Sequence, residues 1–177
     1  MKILGVDPGT ITTGYGIIEF RDNELSYVAS GTIEIQTTKE FGPRLNRIYN
    51  ELCSVIKKYR PDEFALETAF YGKNVQSALK IGYARGVSLL AAEQNGLVIK
   101  EYSPREIKKS VVGKGSSSKE QVQFMVKRLV QLRKSKIKFD ESDALAVAIC
   151  HAFKSSSPVK KSKNWKEFIE SNPDRVL

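Results

Sequence analysis

Apolar positions change period along this chain in a way that predicts alternating strands and helices. Ile3, Leu4 and Val6 form a short apolar run that ends on Asp7 and breaks at Pro8-Gly9. Burial on both faces suits a central strand, and Pro-Gly stops the ladder because proline has no N–H to donate. Thr12 to Phe20 predicts a second strand, with Gly14 and Gly16 permitting close backbone approach. Arg21-Asp22-Asn23-Glu24 is a turn, and Leu25 to Ile35 a third strand ending in the alternation Thr32-Ile33-Glu34-Ile35. The short connections predict an antiparallel meander. Then the period changes. Leu45, Ile48, Tyr49, Leu52, Val55, Ile56 and Tyr59 recur three and four apart, one face of an amphipathic helix closed by Pro61.

Glu63 to Glu67 reads as a short strand between two helices, hence parallel and central, and it too ends on a carboxylate. A helix follows from about Asn74 to Gln94, with Ala78, Gly82 and Gly86 on one face. Small residues at that spacing fit either a tight contact with the domain's own sheet or a twofold dimer contact, with equal weight. Leu97 to Glu101 is a fifth strand. Ser103-Pro104-Arg105-Glu106 joins an N-cap, a first-turn proline and a Glu at N3, and Gly113 ends that short helix. Ser118-Lys119-Glu120-Gln121 repeats the cap and opens a helix to about Arg133. Lys134 to Lys138 is a basic connection, and a last long helix begins at Asp140. The fold class is therefore α/β: a five-stranded mixed sheet, three antiparallel strands then parallel ones, flanked by helices. Residues 1–154 form one domain. Residues 155–177 form a basic tail expected to be flexible, with a short turn from Trp165 to Ile169.

Composition narrows the partners. The 177 residues carry 29 Lys+Arg against 20 Asp+Glu, a net charge of +9, which points to a polyanion, nucleic acid before membrane. No apolar run approaches the roughly 20 residues that span a bilayer, and the first residues read as strand, without the pattern of a signal peptide. Cys53 and Cys150 stand far apart in apolar-periodic segments and read as buried thiols of a reduced compartment. A cytoplasmic protein is expected.

Four carboxylates stand out by position. Asp7 and Glu67 end two strands that could be neighbours, and Asp140 and Asp143 share a face at a helix start. Together they would form an acidic cluster that needs cations, because close carboxylates repel. Oxygen ligands without His or Cys suit Mg²⁺ or Mn²⁺ rather than zinc, and two ions could clamp a phosphodiester. Taken singly, plainer roles compete: Asp140 as an N-cap, Asp143 as a first-turn charge, Asp7 as a turn residue. Lys73, Lys80, Arg85, Arg105, Lys108, Lys109, Lys114 and Lys119 supply positive charge through the middle of the chain. Lys108 and Lys119 flank the loop Gly113-Lys114-Gly115. Phe70-Tyr71-Gly72-Lys73 follows Glu67 directly; an exposed aromatic there could stack on an unpaired base, although ordinary packing under a loop is the commoner role. His151, the only histidine, reads as satisfied or solvent-facing rather than as a ligand.

These residues are recognisable together. Gly5-Val6-Asp7-Pro8-Gly9 with Thr13-Gly14-Tyr15-Gly16, Ala65-Leu66-Glu67, and Lys73-Asn74 to Ala78-Leu79-Lys80 occur in order. Ala84-Arg85-Gly86-Val87, Val111-Val112-Gly113 with Lys119, and Asp140 to Ala146 complete the set. Over residues 2–153 the chain closely resembles the RuvC family of bacterial Holliday junction resolvases. The resemblance implies an RNase H-like fold, a homodimer and Mg²⁺-dependent nicking of two symmetric strands of a four-way junction. The product would carry a 5′-phosphate and a ligatable nick. It places the acidic tetrad on Asp7, Glu67, Asp140 and Asp143, the catalytic-site lysines on Lys108 and Lys119, and the base-stacking aromatic on Phe70. Tyr71, Lys73, Lys80, Arg85 and Lys114 join the DNA-binding set, and Ala78, Gly82 and Gly86 the dimer face. It also implies two Mg²⁺ per site, with Mn²⁺ able to substitute, and work beside the RuvAB branch-migration motor. The connection from Lys134 to Phe139 and the tail after Lys154 depart from the family pattern. Rival readings are a nuclease of the same fold acting on ribosomal RNA precursors, an actin-like phosphate binder for which the chain is too short, and a junction-binding module without catalysis.

Overall fold

The computed structural model describes residues 1–9, 11–34, 40–68, 75–132 and 136–156. Five strands, β1 (Lys2–Asp7), β2 (Thr12–Arg21), β3 (Glu24–Glu34), β4 (Glu63–Glu67) and β5 (Val98–Tyr102), form one sheet in the order β3-β2-β1-β4-β5. β1 and β3 pair antiparallel with β2, whereas β4 pairs parallel with both β1 and β5. The meander and the parallel half are those expected from connection lengths.

Strand parity assigns the two faces of the sheet. Leu4, Val6, Phe64 and Leu66 point to one side, where they meet Ile48, Leu52 and Ile56 of α1 (Phe41–Tyr59) and Ala84, Ala91 and Ala92 of α2 (Val75–Gln94). Ile3 and Ala65 point to the other side, where α5 (Phe139–Ser156) lies across β1 and β2. α3 (Pro104–Val112) and α4 (Lys119–Leu129) then cover α5. The middle of α5 is buried without a break from Ala144 to Ala152, because it is sandwiched between the sheet and those two helices.

The helix meets the sheet across a floor of glycine. A Cβ built on Gly5 would stand 2.2 Å from the Ala144 carbonyl oxygen, and one on Gly16 would stand 2.7 Å from Leu145. Only a residue without a side chain lets the helix backbone come that close.

Several boundaries differ from the sequence reading: β2 ends at Arg21, β3 begins at Glu24, β5 runs Val98–Tyr102 rather than Leu97 to Glu101, α5 begins at Phe139, and three further ones follow. α4 stops at Leu129 rather than Arg133, since Val130 leaves helical dihedrals and Gln131 adopts φ 51°. α1 closes on Arg60 in the left-handed region, one residue before Pro61. α5 runs to Ser156, past the expected start of the tail at residue 155. The remaining tail, 157–177, lies outside the described residues. Both cysteines are free thiols, Cys150 buried and Cys53 half-buried.

Candidate active site

Asp7 and Glu67 have the same strand parity as Gly5 and Ala65, so both point to the face that α5 covers. The pairing of Val6 with Leu66 sets the two carboxylates side by side at the ends of adjacent strands. Each carboxyl lies close enough to act on the other's acidity. Asp143 approaches from α5. These three line a cavity of about 250 Å³ together with Lys108 of α3 and Lys119 of α4. Ile107, Val122 and Ala146 give that cavity an apolar wall. Asp140 stands one turn earlier on α5, close enough for its charge to act on both Asp7 and Asp143.

Local sequence explains each placement. Lys119 is the first residue of α4, fixed by a capping box in which Ser118 accepts from the Gln121 N–H and Gln121 returns a bond to the Ser118 N–H. Its ammonium Nζ donates to Asp143 Oδ2 at 3.2 Å. A second capping box, Ser103 with Glu106, starts α3 and thereby orients Lys108. Asp140 and Asp143 sit in the opening turns of α5, where unpaired backbone N–H groups favour negative charge.

The cluster is electrostatically loaded. Burial, then the charge of Asp7, pushes the Glu67 carboxyl from an ordinary 4.5 up to about 8. Burial, then Asp143, pushes Asp7 from 3.8 up to about 6. Burial also raises Asp143, against the opposing pull of Lys119. Lys119 is raised in turn, chiefly by Asp143. Among the described residues, no three His, Cys, Asp or Glu side chains stand ready-made as a cation shell. Asp143 is held by the Lys119 ammonium. What the site offers is an oxygen donor set with excess negative charge, which suits a hard divalent cation.

The other expected residues divide. Lys114 is exposed in the loop between α3 and α4, and Lys80 is exposed near the start of α2, where it lines a shallow groove with Arg44 and Tyr83. Arg85 is half-buried in an ion pair with Glu101 of β5. Phe70, Tyr71 and Lys73 lie outside the described residues. On α2, Ala84, Ser88, Ala91 and Ala92 are buried, while Val75, Leu79, Gly82, Gly86 and Leu90 form an exposed stripe on the opposite side. A Cβ on Gly82 or Gly86 would meet nothing within 4 Å, so a tight contact with the domain's own sheet is excluded there. Ala78 is half-buried at the edge of that stripe.

Comparison with known proteins shows the family. The family model described as crossover junction endodeoxyribonuclease RuvC matches residues 3–151. The chain belongs to the RuvC family. A RuvC from Geobacter metallireducens is 51% identical over 152 residues, covering 86% of this chain and 92% of its own. The RuvC from Chloroherpeton thalassium is 44% identical across the full length of both chains. Among solved structures, Thermus thermophilus RuvC in complex with Holliday junction substrate aligns with a TM-score of 0.81 at 28% identity, covering 88% of this chain and 94% of that one. The fold is thus the RNase H-like one that the resemblance implied. Among the described residues, no helix is long and apolar enough to cross a membrane.

Two features of this RuvC-family chain were not singled out from sequence. Glu63 shares the parity of Glu67 and points to the same face at the other end of β4. There it meets His151 Nε2, while His151 Nδ1 bonds the Tyr102 hydroxyl at 2.6 Å. With the hydroxyl donating to Nδ1, the Nε2 proton goes to Glu63, a tautomer assigned from the network. The expected satisfied histidine is this one, buried at 1% exposure. The second feature is Glu141, which bonds Ser30 on β3.

Proposed function

We propose that the protein resolves four-way DNA junctions, hydrolysing phosphodiester bonds at the cavity between β1, β4 and α5. The observation that carries this reading is the convergence of Asp7, Glu67 and Asp143 with Lys108 and Lys119 in one pocket on a basic chain. Asp7, Glu67, Asp143 and Asp140 would hold divalent cations, Mg²⁺ with Mn²⁺ as substitute and two per site. Such ions supply an activated water and stabilise a leaving oxygen. The protein's own groups do the rest. Lys119 and Lys108 face the negative charge that develops on the phosphate and hold it against the carboxylates. Buried apolar walls exclude bulk water and strengthen those interactions.

Symmetric cutting requires two such sites. The exposed stripe of Val75, Leu79, Gly82, Gly86 and Leu90 supports a homodimer through α2, since its two glycines let a second helix approach closely. A twofold dimer matches the twofold of the junction. Lys80 and Lys114 would contact phosphates, and Phe70, Tyr71 and Lys73 would meet the crossover bases beside Glu67. Cleavage would leave a 5′-phosphate and a ligatable nick. Family membership supports RuvAB as the working partner and the cytoplasm as the location.

A synthetic four-way junction with a mobile core tests this, incubated with and without Mg²⁺ beside a linear duplex of the same sequence. Paired symmetric nicks in the junction alone, and only with metal, are the expected result. Equal cutting of the duplex would overturn junction selectivity.

A further inference from the structure

We infer that Glu141 is a positioning residue that clasps the first turn of α5 to β3 and so sets Asp140 and Asp143 against Asp7 and Glu67. This rests on the metal-dependent reading of the site given above. The glycine floor under α5 brings the helix start close to the sheet, within reach of a clasp. Gly5, Gly14 and Gly16 let the helix descend onto the sheet, but they offer no side chain to interlock with it. Ala144 and Ala148 stand over Gly5 and the Asp140 backbone over Gly14; over Gly16 a larger side chain, Leu145, reaches down into the gap. Apolar contact is non-directional, whereas a hydrogen bond fixes a direction at the helix start. Asp143 must nevertheless be held to within a fraction of an ångström for ligation.

Glu141 supplies the missing direction. Its Oε2 accepts a hydrogen bond from Ser30 Oγ at 2.6 Å, across from the helix to β3. Its Oε1 accepts from the Lys138 backbone N–H at 3.3 Å, the N3-to-cap half of a capping box that fixes where α5 begins. Ser30 is itself tied to the Tyr27 hydroxyl at 3.1 Å. Lys138 then extends the tie along β3, its Nζ reaching Thr32 Oγ1 at 3.3 Å and the Glu34 carboxylate. A single carboxylate thus joins the helix start, the preceding connection and the far strand of the meander. It lies between Asp140 and Asp143 in sequence yet spends both oxygens away from the cavity.

The test uses the full-length protein and Glu141→Ala, Glu141→Gln and Ser30→Ala. Mn²⁺ affinity is read from the paramagnetic resonance signal of free Mn²⁺, alongside single-turnover junction cleavage, junction binding and Tm. Glu141→Ala is expected to weaken Mn²⁺ binding about tenfold, the equivalent of roughly 1.4 kcal/mol, and to slow cleavage in parallel, with junction affinity unchanged. Glu141→Gln keeps an acceptor for Ser30 and should recover part of the loss. Ser30→Ala added to Glu141→Ala should cost Mn²⁺ affinity nothing further, since the bond that joins the two residues is already gone. A lower Tm with wild-type Mn²⁺ affinity would overturn the inference and leave Glu141 a plain helix cap. If the wild type binds Mn²⁺ but cuts no junction, the nuclease reading fails, while the Mn²⁺ comparison still decides the role of Glu141.

Discussion

Gly14 on β2 lies directly beneath the backbone of Asp140, so close that a Cβ at Gly14 would stand 2.0 Å from the Asp140 carbonyl oxygen. No side chain fits that gap, and the neighbour is backbone, which cannot swing aside. The glycine therefore fixes the height at which α5 delivers its two aspartates over the strand ends.

Gly14→Ala is accordingly expected to lift the first turn of α5. Overpacking of this kind costs about 1–3 kcal/mol, a fall in Tm of roughly 2–12 °C for a domain of this size. Cleavage should fall further than stability alone explains. Thermal unfolding and single-turnover cleavage of the same sample check both. Wild-type Tm would mean the helix does not rest on Gly14.

Gly82→Ala provides the contrast. Its Cβ meets nothing within the monomer, and alanine is the better helix former by roughly 0.5–1 kcal/mol. The monomer should gain stability. If α2 is the dimer face, association should weaken at the same time, as read by analytical ultracentrifugation. Unchanged association would place the dimer contact elsewhere.

Acidity in the site gives the metal-free protein a pH-dependent stability. Glu67 titrates near 8 in the fold against 4.5 in the unfolded chain. A raised folded value means the fold holds a proton the unfolded chain has lost. The contribution of this group is therefore full below about pH 4.5 and is lost as pH rises to about 8, at up to roughly 1.4 kcal/mol per pH unit for one proton. Urea denaturation across that window should show the decline, Mg²⁺ should flatten it by taking the proton's place, and Glu67→Gln should remove its upper part, leaving the decline below about pH 6 that the raised Asp7 supplies. A decline above about pH 6 that persists in Glu67→Gln would locate the titration elsewhere.

Lys119→Ala removes the cation that Asp143, Asp7 and Glu67 all face. Losing a positive neighbour disfavours ionised carboxylates, so the acid limb of the pH–rate profile should move to higher pH as the rate falls about 100-fold. Lys119→Arg should restore most of the shift but less of the rate. A rate loss with an unmoved profile would limit Lys119 to phosphate contact.

Much of this architecture was legible in sequence, because strand and helix periods differ and capping boxes are local signals. Ser103-Glu106 and Ser118-Gln121 mark helix starts in the sequence, and both boxes are present. Asp7 and Glu67 were readable as strand-end carboxylates, since parity and topology are also encoded locally. What sequence did not deliver was pairing across distance. Glu63 and His151 are 88 residues apart, and Ser30 and Glu141 are 111 apart; nothing local marks either pair. The two faces of α2 were undecided for the same kind of reason, as small residues suit contact with a sheet or with another helix equally. The α4 boundary was misjudged because Gln131 turns left-handed without a glycine to announce it.

The most direct measurement is junction cleavage and junction binding by Asp7→Asn, which keeps the shape of the side chain and removes its charge. Cleavage should fall by at least about 100-fold while binding in a gel-shift assay, carried by the basic surface, stays at the wild-type level. Retained cleavage would contradict the placement of the active site at the ends of β1 and β4. Loss of binding together with cleavage would make Asp7 a structural residue instead.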